Sequence, residues 1–310
     1  MRAMILSELR QPVAASVLAA AQEVRRRHGA SLVACLFYGS CLRDGRDEDR
    51  VIDFYAIADD YRRFHESRVS AVLNAILPPN VYYLETPFEE RVVRAKYAVV
   101  SLGHLIRHTS PAAFQPSLWG RLAQPCALVY ARDSAVEETM AGALAAAVET
   151  MAAETLALMP AEFTADRLWI RAFRESYGTE LRAERSNRPQ DLYRACPERY
   201  DGLTAAALSG SQGLVPGDAP GASSVRHRTS AGRRSTARLR WMTRRVLGKT
   251  LHVLRLLKAA YTFTDGLDYI LWKIEKHSGV RTIPTPWQRR HPLMAAPSLA
   301  WRLYRRGAFR

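Results

Sequence analysis

The four cysteines stand far apart, at positions 35, 41, 126 and 196, and no two form a Cys-X-X-Cys pair. That argues against a disulfide framework or a zinc ribbon and favours a reducing compartment. No run reaches the roughly 18–20 apolar residues that a membrane-spanning helix needs, because Arg or Lys interrupts every candidate. The first turns carry Glu8 and no apolar core, so no secretory signal is expected. Between Asp218 and Asp265 there is no carboxylate at all, and no internal repeat recurs along the chain.

What is present is a chain of 310 residues, 48% hydrophobic, long enough for two domains or for one with a large helical appendix. The net charge is +15, and its placement matters more than its size. Residues 219–310 hold 20 of the 45 Lys and Arg but only 3 of the 30 Asp and Glu, so residues 1–218 are close to neutral. Positive charge gathered in this way fits a polyanionic partner, either anionic lipid or nucleic acid.

Apolar spacing predicts a helix over 12–28, ending near Gly29, then a buried strand over 31–37 running into Tyr38-Gly39-Ser40. Further strands are expected at 51–58, 80–84, 95–101 and 126–130. Helices are expected at 60–76, closed by Pro78-Pro79, and at 102–122. Four regions follow: a sheet domain at 1–133, a helical domain at 134–208, a flexible linker at 209–236 rich in Gly, Ser and Arg, and a basic amphipathic region at 237–310 with an irregular, proline-broken tail. The expected class is α/β: a mixed sheet of nucleotidyltransferase type, then a helical domain and a basic C-terminal helix.

That fold type is suggested by a strand, Gly39-Ser40, a short loop and a second strand bearing Asp53. Gly39 would let the backbone approach a triphosphate, and Ser40 would offer a hydroxyl and an N–H to its oxygens. Asp53 would hold Mg²⁺, which neutralises phosphates during in-line attack. The usual second acid two residues on is replaced by Tyr55, so a second metal carboxylate has to come from Glu85, Asp59 or Asp60, or be missing.

Several short blocks, in order, resemble the mitochondrial-type CDP-diacylglycerol synthases, the translocator assembly and maintenance type of phosphatidate cytidylyltransferase, in their bacterial form. The blocks are Phe37-Tyr38-Gly39-Ser40, with Cys41 where the family has a second Gly; Ile52-Asp53-Phe54 through Asp59-Asp60, with His65 beyond; Lys96-Tyr97 with Val99-Val100-Ser101; Gly120-Arg121-Leu122 with Gln124-Pro125; Met159-Pro160 with Phe163-Thr164; Ser176-Tyr177 with Glu180 and Arg182; and Leu257 to Thr262. They span about 35–185 and 244–265. The stretch after His65 departs from the family pattern.

The resemblance implies a reaction in which CTP and phosphatidic acid give CDP-diacylglycerol and pyrophosphate with Mg²⁺. It implies Asp53, Ser40 and Lys96 as the catalytic set. Tyr38, Gly39, Ser40, His65, Lys96, Arg121, Arg182 and Lys258 would bind substrate, and Asp53 with Glu85 would hold the metal. It also implies a peripheral location, on the cytoplasmic face of a bacterial inner membrane or the matrix side of a mitochondrial one.

The basic segment 238–258 has its own reading. Leu239, Met242, Val246, Val253, Leu254 and Leu257 recur near helical spacing among cations. Such a helix lies on anionic lipid, with Arg240, Trp241, Arg244, Arg245, Lys249 and Arg255 expected to contact the membrane. Packing of the apolar stripe on the domain is the plainer alternative. RNA binding is the third and is not the expected one, because no aromatic stacking platform accompanies the arginines. In function, the alternatives are nucleotidyl transfer to RNA or a small molecule, and a catalytically silent membrane scaffold.

Overall fold

The computed structural model describes residues 1–48, 50–181, 187–208, 215–216, 224–262, 267, 271, 275, 280, 282–290 and 292–306. Two helices, α1 (Arg2–Leu9) and α2 (Ala15–His28), precede strand β1 (Leu32–Tyr38). A short helix α3 (Ser40–Asp44) leads to β2 (Val51–Ala58), then α4 (Tyr61–Phe64) and α5 (Arg68–Ile76). A hairpin of β3 (Asn80–Phe88) and β4 (Arg91–Ser101) follows, then α6 (Leu102–Thr109), α7 (Trp119–Leu122) and β5 (Cys126–Ala131). The five strands form one mixed sheet in the order β3-β4-β2-β1-β5, in which β2 and β4 run parallel and the other pairs antiparallel.

The central strands are continuous apolar runs, as strands covered on both faces must be. On one face, α2 packs Val17, Ala20, Ala21 and Val24 against Ile52, Phe54, Ala56 and Val99. On the other, Tyr55, Ile57, Ala98 and Val100 meet α8 (Ser134–Leu156), whose alanines let it lie close to the sheet. The chain continues through β6 (Glu162–Thr164), α9 (Ala165–Tyr177), α10 (Arg188–Arg194) and α11 (Pro197–Leu208). One core runs from Ile5 through this helical part to Trp241, so it crosses the boundary expected at 133/134.

The expected linker is not a plain linker where it is described. Strands β7 (Val215–Pro216) and β8 (Ser224–Arg226) pair with β6 in a small antiparallel sheet, and Glu162 accepts from Ser224 and Arg226. Residues 209–214 and 217–223 lie outside the described residues. Helix α12 (Ala231–Thr262) begins earlier than expected. The tail holds two helices, α13 (Pro286–Arg290) and α14 (Pro292–Arg305), rather than irregular chain, and α14 carries Pro297 inside it.

The helix expected at 60–76 is split into α4 and α5, each with its own cap: Asp60 accepts from the backbone N–H of Arg62 and Arg63, and Ser67 from that of Ser70. The loop after α5 is fixed from within. The buried Asn74 amide donates to Val99 O at 3.1 Å and accepts from Asn80 N, while Asn80 Nδ2 donates to Ser70 O at 3.0 Å. These bonds hold Leu77–Pro79 at the rim of the cleft described next.

Candidate active site

At the end of β1 the chain turns at Gly39, whose φ is +97°. A Cβ there would lie 3.1 Å from Asp53 Oδ2, so both the backbone angle and the close carboxylate favour glycine. The strand register sets up the rest. Tyr38 pairs with Asp53 across β1 and β2, and Asp53 pairs with Lys96 across β2 and β4. Lys96 Nζ reaches Asp53 Oδ1 at 3.1 Å, in a partly exposed pair worth on the order of 1 kcal/mol or less. The Tyr38 ring stacks on Tyr55 with centroids 4.8 Å apart.

These residues form one wall of a cleft of about 340 Å³. The second wall comes from α3, α7 and the chain after α9. Arg121 is held by Ser117 O at 2.7 Å and by the Glu180 carboxylate at 2.6 Å. Burial is the largest single influence and opposes its charge, but Glu180 together with Tyr55, Tyr38 and Tyr177 holds the guanidinium pKa upward. Gly120 lets α7 press on α9, since a Cβ there would lie 2.9 Å from Ser176 Cβ. Arg43 Nη1 donates to Gln124 Oε1 at 3.3 Å, while its buried Nη2 has no partner among the described residues.

The third wall is α12, which brings in His252, Arg255 and Lys258. Arg255 Nε donates to Pro78 O at 2.8 Å, and Lys258 Nζ to Pro79 O at 2.8 Å and to Leu77 O. Among the described residues, six cationic side chains (Arg43, Lys96, Arg121, Arg188, Arg255 and Lys258) thus line a cleft with two carboxylates, Asp53 and Glu180.

The cations press on one another. Burial and then Arg188 lower the Arg43 pKa, and burial and then Arg121 lower that of Arg255. Burial and then Arg255 push Lys258 down to about 8. His104, stacked on His108 with centroids 3.9 Å apart, is pushed down to about 3 by burial, by His108 and by Arg255. An anion entering this cleft relieves the repulsion as well as gaining hydrogen bonds.

Of the residues nominated from sequence, Tyr38, Gly39, Ser40, Asp53, Lys96, Arg121 and Lys258 meet in this cleft. Arg255, nominated for the membrane, lines it too. His65 does not: it sits against Tyr82, Tyr61 and Phe64, on the face of the sheet opposite Asp53. Its Nδ1 bonds the Tyr82 hydroxyl at 2.7 Å, and burial, with His28 and Lys258 adding to it, pushes its pKa down to about 4. His65 therefore stands outside the cleft lining, packed among aromatic rings, with its buried Nε2 lacking a hydrogen-bond partner among the described residues.

Glu85 lies outside the cleft lining, accepting from Tyr83 Oη at 2.8 Å and Arg94 Nε at 3.1 Å, and is corrected from metal ligand to strand pairing. Asp59 and Asp60 follow the far end of β2, where Asp60 caps α4. Arg182 lies outside the described residues.

The basic helix turns over relative to expectation. Trp241 is 1% exposed, with its Nε1 donating to Glu154 O at 3.1 Å, and Arg244 is fully buried. Arg244 Nε donates to Phe114 O at 2.6 Å and its Nη1 to Glu154 Oε2 at 2.8 Å, with the Trp241, Phe114 and Trp119 rings around it. Arg240 reaches Glu154 at 3.1 Å, and Arg245 pairs with Glu175. Trp241 and Arg244 therefore glue α12 to the protein and cannot contact lipid. Lys249 remains on the exposed side.

Sequence reasoning missed Arg43, Arg188 and His252. A signal existed for Arg43, which lies one helical turn beyond Ser40 and so on its face of α3. Arg188 and His252 come in from distant elements.

Among the described residues no three His, Cys, Asp or Glu side chains cluster as a preformed metal cage. Asp53 still suits Mg²⁺, which is commonly bound through one or two carboxylates plus substrate phosphate oxygens. No helix among the described residues is long and apolar enough to cross a membrane. No family model matches the chain, and no curated protein matches it either.

Proposed function

We propose that the protein is a Mg²⁺-dependent nucleotidyltransferase of the phosphatidate cytidylyltransferase type, working at a membrane surface. The observation that carries this reading is the cleft itself, in which six cations surround a glycine-fronted aspartate. Arg43, Lys96 and Arg188 are suited to the β- and γ-phosphates of CTP, beside Gly39 and Ser40. Asp53 would hold Mg²⁺, which when bound neutralises the triphosphate and polarises the α-phosphorus.

The acceptor is a phosphate monoester such as phosphatidic acid, held by Arg255 and Lys258 on the opposite wall. One of its oxygens attacks the α-phosphorus, a new P–O–P link forms, the bond to the β-phosphate oxygen breaks, and pyrophosphate leaves. The attacking phosphate is already ionised at neutral pH, so no side chain has to remove a proton. The protein's own share is positioning and charge neutralisation.

Contact with an anionic bilayer falls to the outward side of α12, where Leu239, Met242, Val246, Val253 and Leu257 are exposed. A peripheral location on the cytoplasmic or matrix side of such a membrane follows from this reading.

The single cleft carboxylate not paired with Arg121 favours a second reading, a silent scaffold that binds nucleotide without transfer. Pyrophosphate release by purified protein with Mg²⁺, CTP and phosphatidic acid in anionic liposomes separates the two. Release that needs the lipid and vanishes in Asp53→Ala supports the transferase. CTP binding without release sinks it in favour of the scaffold, and release with RNA or a soluble phosphate in place of lipid moves the acceptor.

A further inference from the structure

Helix α12 has two distinct sides. One carries Trp241, Arg244, Gly248, Arg255 and Lys258 and is used up against the protein: Arg244 and Trp241 are buried, and a Cβ at Gly248 would lie 2.5 Å from Thr179 O. The other presents Leu239, Met242, Val246, Val253 and Leu257, at spacings of three, four, seven and four, all exposed. Exposed Arg238 and Lys249 flank this stripe, and residues 231–262 contain no Asp or Glu.

A second exposed apolar stripe lies on α5, which sequence reasoning treated only as a connector. Val69 is 67% exposed, Val72 55% and Ile76 74%, at spacings of three and four, while Ala71 and Asn74 on the opposite side are buried. A nine-residue helix placing three β-branched side chains in solvent needs a reason, since single exposed apolar residues are ordinary but stripes are not.

The end of α5 meets the inner side of α12. Leu77, which closes α5, accepts from Lys258 Nζ, and Pro78 O accepts from Arg255. Ile76 and Leu257 are the sequence neighbours of Leu77 and Lys258, one on each helix, and both are exposed. The same contact forms the rim of the cleft, because Pro78, Pro79, Arg255 and Lys258 all line it.

We infer that α5 and α12 together form one lipid-docking face, so that the protein sits with the rim of its cleft against an anionic bilayer and takes an amphiphilic acceptor directly from it. The occupant is a membrane because the face combines two aliphatic stripes with a cationic border lacking carboxylates on α12. This rests on the lipid-acceptor reading above for the identity of the acceptor, but the docking face is testable without any turnover.

The test is flotation of the whole protein with phosphatidylglycerol-containing vesicles and with phosphatidylcholine vesicles. It compares wild type with Val72→Asp/Ile76→Asp and with Val253→Asp/Leu257→Asp, each checked by thermal melting for an intact fold. All four positions are exposed and outside the cleft lining, so the fold and soluble nucleotide binding are expected to survive. The expected result is wild-type binding that prefers the anionic vesicles, with each double variant bound at least about tenfold less, the least effect that losing one buried aliphatic side chain predicts.

An α5 variant that floats like wild type while the α12 variant does not would overturn the two-helix face. Wild type that ignores vesicles but forms a dimer broken by both variants would overturn the membrane in favour of a second copy of the chain. Wild type that floats as predicted yet releases no pyrophosphate would leave the docking face standing and remove the transferase reading instead.

Discussion

Helix α12 buries cations at two places, and they are treated differently. At Arg244 the charge faces a carboxylate at 2.8 Å, a carbonyl at 2.6 Å and three aromatic rings within 5.6 Å of its guanidinium carbon, and only its buried Nη2 lacks a hydrogen-bond partner among the described residues. About three to four turns on, Arg255 and Lys258 have backbone carbonyls as hydrogen-bond partners, and the pKa values of both are held down by burial and by neighbouring cations. A buried cation paired with a carboxylate of its own is a fastening. A group of buried cations with too few carboxylates is prepared for an anion that has yet to arrive.

The largest effect should come from the fastening. Arg244→Leu removes a fully buried ion-pair partner and leaves the partly buried Glu154 with Arg240 alone, and is expected to cost about 3–5 kcal/mol of stability in urea unfolding. A loss below about 1 kcal/mol would erase the distinction between the two sites.

Gly39→Ala comes next. It forces a side chain onto a φ of +97° and against Asp53, and is expected to cost about 1–3 kcal/mol together with most of the affinity for CTP.

Lys258→Met should do the reverse of Arg244→Leu, leaving unfolding midpoints little changed while weakening binding of CTP or phosphatidic acid about tenfold, seen by calorimetry.

The same lysine gives a pH test. In the unfolded chain it keeps its proton up to its ordinary value of 10.5, but in the fold it gives it up near 8. Between those values the unfolded state binds more protons, so this group makes stability rise with pH across that window, relative to Lys258→Met. Anion affinity should fall as pH passes 8, and Lys258→Arg should flatten that fall. The smallest effect is predicted for His65→Asn, which should leave CTP affinity unchanged because the side chain lies behind the sheet; a marked loss would bring it back into the site.

The legibility of the chain follows the range of the interactions. Strand β2 was read at its observed bounds, and β1 and β5 to within a residue at each end, because they are short apolar runs between turn signals and their burial is written locally. The hairpin of β3 and β4 extends beyond its apolar centre into Glu85, Thr86, Arg91 and Arg94, whose pairing is set by the partner strand and not by hydropathy. Residues 215–216 and 224–226 look like linker because the sheet they join is completed by the distant β6.

In the cleft, Gly39, Ser40, Asp53 and Lys96 could be found from the ends of neighbouring strands. Arg188 and His252 could not, since only the tertiary fold brings them there. The orientation of α12 was misread for a specific reason. A Trp and several Arg on an amphipathic helix suggest a lipid interface, but here Trp241 and Arg244 face Glu154 and Phe114, partners within the protein that lie about 90–130 residues away.

The T-shaped contact between Trp119 and Trp241, with centroids 5.9 Å apart, has a consequence for how this chain is divided. Trp119 belongs to the part that carries the sheet, and Trp241 to the part that carries the surplus positive charge. A version ending before α12 would lose one side of its cleft and uncover the faces of Trp119 and Phe114 that α12 packs against, inviting self-association. The C-terminal third is therefore not an appendage that could be traded between proteins as an interchangeable module. Recombination or truncation at this junction is constrained by the same aromatic pair that completes the interior.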